Sequence, residues 1–91
     1  MTDYELIEQL ADKEHASWAR WMEYLFSTCE RGADGSMTIP ANYVKHWTLE
    51  VMMPYARLPE SAKQSDRDEV AHILPIIRQF IADLIATMER R

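Results

Sequence analysis

The chain is poor in the residues that usually announce chemistry: its 91 positions hold one cysteine and two glycines. With Cys29 alone, no intramolecular disulfide can form and cysteine-rich zinc sites are excluded. A surplus of positive charge is also missing. Ten Lys and Arg stand against fifteen Asp and Glu, giving a net charge of -5, so neutralisation of phosphates cannot carry binding to DNA or RNA. No long apolar run is uninterrupted. The stretch from Ile73 to Met88 is broken by Arg78, Gln79 and Asp83 and does not read as membrane-spanning. The opening MTDYELIEQL is acidic and amphipathic, whereas a secretory signal needs a basic end followed by continuous hydrocarbon. Internal repeats and low-complexity tracts are absent. These features predict a reduced, soluble, cytoplasmic protein of one domain over residues 1–91, with no nucleic-acid or membrane partner.

Catalytic equipment is equally scarce. His15, His46 and His72 lack i, i+4 spacing and no HExxH or Cys/His set accompanies them, so no metal site is expected. No nucleophile stands beside a base, and no carboxylate pair suggests separated pKa values. The expectation is a protein that is not an enzyme and carries no cofactor. His15 reads as a structural or pocket residue and Cys29 as a small buried hydrophobe. No glycine-rich phosphate loop occurs, so any nucleotide would be held by side chains or by a helix N-terminus near Pro59 to Ser61.

What is present is helical periodicity, with 47% apolar residues and three Trp to pack. Ile7, Leu10, Ala11, Trp18, Trp21, Met22, Leu25 and Cys29 recur at steps of three and four, which predicts a long helix from about Thr2 to Cys29. Gly32, Asp34 and Gly35 mark a loop over Glu30 to Ser36, with at most a short extended piece at Thr38 to Ile39. Pro40 opens a second helix reaching about Met53, and Pro54 ends it. A third runs from Pro59 to Glu89. Pro75 lies inside it, which predicts a kink or break near Ala71 to Leu74. The fold class is mostly α, a small helical bundle of three main helices around one core.

Charges interrupt the apolar stripes. At 100° per residue the mean apolar direction of the first helix passes close to Glu14, and the third helix's stripe, extended back from Val70, reaches Asp66 and Lys63 with Arg67 at its edge. Isolated buried charges cost several kcal/mol, so these groups should pair, meet water or line a cavity. A structural ion network would pair Glu14 with Arg67 or Lys63. A binding site would use Lys63 and Arg67 against an anionic group, with Trp18 or Tyr55 stacked on a planar one.

The same residues carry a resemblance. Glu14, His15 and Trp18, then Trp47, then Pro54, Tyr55 and Leu58, then Lys63, Asp66 and Arg67 follow in the order of the ryanodine-receptor (RyR) domain, a module found as repeats in calcium-release channels and as small stand-alone bacterial and phage proteins. The chain resembles that family over about residues 6–77. The resemblance implies a mostly helical, non-catalytic module of the prokaryotic or phage type that binds or sequesters a nucleotide-derived small molecule in a signalling or defence setting. Its ligand-binding residues would be Glu14, His15, Trp18, Tyr55, Lys63, Asp66 and Arg67. The loop from Glu30 to Ser36 carries no signature of the family, so the resemblance assigns it no ligand contact.

Residues 78–91 extend beyond that pattern. Phe80, Ile81, Leu84, Ile85 and Met88 give the extension an apolar face that either folds back on the first helix or packs against another subunit, making a homo-oligomer. Two functions are therefore expected to compete: binding of a small nucleotide-derived ligand, and oligomerisation or protein interaction with no small ligand.

Overall fold

A computed structural model describes residues 1–90. Helix α1 spans Asp3–Thr28, strands β1 (Glu30–Arg31) and β2 (Met37–Thr38) follow, then α2 (Ala41–Val51), a single 3-10 turn at Tyr55–Arg57, and α3 (Glu60–Glu89). The mostly helical class and the long last helix follow the apolar spacing, with helix bounds displaced by no more than two residues. At the start of α1, Glu5 N–H donates to Thr2 Oγ1 and Thr2 N–H donates to Glu5 Oε2, each at 3.1 Å. This reciprocal cap satisfies two donors that the first helical turn leaves free. Helices α2 and α3 each start directly after a proline, Pro40 and Pro59.

Two expectations are corrected locally. The segment after α1 is not only a loop, because β1 and β2 pair antiparallel with Glu30 opposite Thr38 and Arg31 opposite Met37. Gly35, at φ 88°, makes the reversal, a conformation that strains any other residue. The break expected near Pro75 does not occur either, since α3 is one continuous helix through it. Pro75 has no N–H to donate to the Ala71 carbonyl, and α3 continues through it without that bond. Residues 78–89 are thus continuous with the rest of α3.

Helices α1 and α3 lie side by side and antiparallel. Two ion pairs set their register, Arg20 with Glu69 and the Met1 amino group with Asp83 at 3.0 Å. Leu6, Leu10, Lys13 and Ser17 of α1 and Ile73, Ile76, Phe80 and Asp83 of α3 are the half-buried or buried inner positions. One residue further on in each helix lies a second, open stripe. On α3 it is Val70, Leu74, Ile77, Ile81, Leu84 and Met88, spaced four, three, four, three and four apart and 38–72% exposed. On α1 it is Ile7, Ala11, Glu14 and Trp18, all exposed. A step of one residue turns about 100°, and in antiparallel helices equal steps turn both stripes to the same side of the pair.

The expected closed core is therefore absent from the single chain. Among the described residues only Ile76, at 9% exposure, is buried, while twenty large apolar side chains are 38–85% exposed. The radius of gyration is 18.7 Å, against roughly 12 Å for a compact domain of this length. Glu14, expected to point into a core, is on the open stripe instead. Helix α2 is held on the C-terminal half of α1 by an aromatic cluster, with Trp47 5.3 Å from Trp21, 5.2 Å from Tyr43 and 6.3 Å from Tyr24 between ring centroids.

Aromatic pairs of this kind contribute about 0.5–1.5 kcal/mol each beyond their burial. Trp47→Ala is therefore expected to cost about 2–3 kcal/mol and to detach α2. The check is chemical denaturation with hydrogen exchange: α2 amides should lose protection while inner α3 amides such as Ile76 keep theirs, and unchanged α2 protection would contradict this packing.

Candidate functional site

A half-open groove of about 740 Å³ lies where the C-terminal half of α1, the end of α2 and the first turns of α3 come together. Trp21, Tyr24, Trp47 and Leu58 supply apolar walls, and the Arg20–Glu69 pair closes one side. Arg20 donates from Nε to Glu69 Oε1 at 3.0 Å and from Nη2 to Oε2, a two-point fork. This fork, with Ser17 and His72 nearby, holds the Glu69 carboxyl at about 2, below its ordinary 4.5. The partnership also raises the Arg20 pKa. On the α2 side, His46 Nε2 lies 2.7 Å from Glu50 Oε1.

Of the seven residues singled out in the sequence, only Asp66 lines this groove. The others form two separate groups. At the start of α3 the Lys63 ammonium sits 5.7 Å from the centre of the Tyr55 ring, and Arg67 donates to Glu60 at 3.3 and 3.4 Å with the Tyr55 phenol also beside it. These contacts, with Glu60 the larger, raise the pKa of Arg67. On α1, His15 and Trp18 stack at 5.7 Å, with Trp18 55% exposed. Glu14 pairs with neither Lys63 nor Arg67. Interpolating between the two register-setting ion pairs puts Glu14 level with Ile73 and Leu74, about two helical turns from Arg67. The structural network expected from Glu14 is thus replaced by a local Arg67–Glu60 pair.

Sequence reasoning missed Arg20, Glu69, Trp21 and Trp47 as groove residues. Arg20 and Glu69 were findable, because each continues an inner seam, Leu10, Lys13, Ser17 on α1 and Phe80, Ile76, Ile73 on α3, by one more step of three or four. Chemically the groove can stack a planar group beside a guanidinium already paired with Glu69, with Glu50 and Asp66 also in its lining, while the Tyr55, Lys63 and Arg67 cluster outside it can meet an anion. Among the described residues no three His, Cys, Asp or Glu side chains are grouped to hold a metal ion. Helix α3 is also long and apolar enough to cross a membrane, by length and composition. Compared with family models, with curated proteins and with solved structures, the chain matches none. The RyR resemblance therefore rests on the quoted residues alone.

Because Glu69 is depressed on folding, its contribution is complete above its ordinary 4.5 and is lost as pH falls toward 2. Thermal unfolding of wild type and Glu69→Gln across that range should show wild type losing stability more steeply. Parallel curves would mean that the fork does not survive in solution.

Proposed function

We propose that this chain is a helical interaction module whose fold is completed by association with another protein surface. One observation carries the reading: in a chain rich enough in apolar residues to close a core, Ile76 alone among the described residues is buried. Exposed apolar area on this scale marks an interface, because water contact along it opposes folding of the isolated chain. The reading keeps α3 in water. Arg78 and Asp83 fall within its apolar stretch and would each cost about 3 kcal/mol near a bilayer centre. Asp83 is moreover held below its ordinary pKa by the Met1 amino group and the Gln79 amide. A cytoplasmic setting is part of the same proposal.

A second reading is favoured by the aromatic groove. The RyR resemblance implies a nucleotide-derived ligand; the groove would stack its planar part on Trp21 or Trp47, and the phosphate would meet Arg20 or reach out of the groove to Lys63 and Arg67. Mononucleotides, cyclic nucleotides and ADP-ribose derivatives test it by thermal shift. A rise of several degrees that disappears in Arg67→Ala or Arg20→Ala protein of unchanged helicity supports it, and no rise across the panel removes it.

The interaction reading predicts that stability depends on a partner. Unfolding of the purified protein, followed by circular dichroism from sub-micromolar to high micromolar concentration, should show either a midpoint that climbs with concentration or a weakly cooperative, poorly protected chain throughout. A sharp midpoint independent of concentration in a folded monomer would contradict it.

A further inference from the structure

Resting on the interaction reading, we propose that the occupant of the open face is a second copy of this chain, seated so that α1 of one copy lies along α3 of the other and the two pairs close a four-helix bundle.

The area fits. The single chain exposes 7480 Å², whereas a compact protein of 10.7 kDa exposes roughly 5,500 Å². The excess of about 2,000 Å² per chain is about 4,000 Å² for two, within the range of obligate homodimers and far above a casual contact. The pattern fits as well. The open α3 stripe repeats every 3.5 residues through Leu74, Ile77, Ile81 and Leu84, the spacing of a seam that takes a helix against it lengthwise. The α1 stripe beside it has matching spacing, so each copy offers two parallel tracks to two helices.

Charge selects the arrangement. Beside the α1 stripe stands Glu8, and beside the α3 stripe stands Arg78, both exposed and on opposite outer edges of the pair. Interpolating between Met1–Asp83 and Arg20–Glu69 places Glu8 within about one helical turn of Arg78. A two-fold axis parallel to the helices swaps the edges, placing Glu8 of each copy against Arg78 of the other. Stacking α1 on α1 would instead bring Glu8 and Glu14 of both copies onto one helix pair, with Arg78 on the far helices. The interface is then isologous, with two such pairs at its rim. Glu14 is the one charge on the buried track, and it weakens the association it sits in.

Light scattering and sedimentation of the full chain test this. The wild type is expected at about twice the 10.7 kDa monomer mass. Ile77→Glu should weaken dimerisation by at least about a hundredfold, because it adds an unpaired charge to the centre of the seam. Glu14→Leu should tighten it, an outcome that misfolding cannot imitate. Glu8→Lys and Arg78→Glu should each weaken it by roughly tenfold, and the double variant should recover most of the loss. A dimer without that recovery places the interface elsewhere and overturns the proposal. A monomer that stays loosely protected at every concentration also overturns it, while leaving the interaction reading with a different partner. A compact, cooperative monomer ends both.

Discussion

Everything in this molecule depends on the antiparallel contact between α1 and α3. Two helices side by side can shield only one stripe of each, and here those stripes run through Leu6 and Leu10 on one helix and Ile73, Ile76 and Phe80 on the other. The Arg20–Glu69 fork fixes their register at one end and the Met1–Asp83 pair at the other. With register fixed, the adjacent apolar tracks are forced to the same side, where no third element reaches along their length. Helix α2 covers only the C-terminal half of α1, through Trp47. The exposed face is therefore built into the pairing of the helices and cannot be removed by side-chain adjustment.

The groove follows from the same geometry. Where α2 leans on α1 and the first turns of α3 diverge, the aromatic side chains of Trp21, Tyr24 and Trp47 line a recess beside the Arg20 fork. Open face and groove are thus different parts of one chain. The open face lies along the α1 and α3 pair, while the groove sits at its α2 end.

Class, helix number and helix bounds were legible in the sequence because three- and four-residue spacing, prolines at helix starts and glycines in the turn all act locally. The short β1–β2 pairing was not, since two-residue strands carry no alternation to read. The site was misplaced for a definite reason. Each long helix carries two apolar tracks one residue apart, and spacing alone does not say which one faces the other helix. On α1 the reading settled on Glu14, which lies on the open track. On α3 the backward extension from Val70 reached Asp66 and Lys63, which continue the open track, and passed over Glu69 on the inner one. A stripe wider than one neighbour can cover was itself the signal of an open face, and the apolar face of the extension after Ile77 pointed the same way.

The most direct measurement is hydrogen exchange of the α3 backbone from Leu74 to Leu84 as a function of protein concentration. The account predicts that protection of this segment rises with concentration, together with that of Ile7 to Trp18 on α1, as the open tracks become covered. Protection that is strong and unchanged down to the lowest concentration would show that a single chain is fully folded by itself, and would contradict the account.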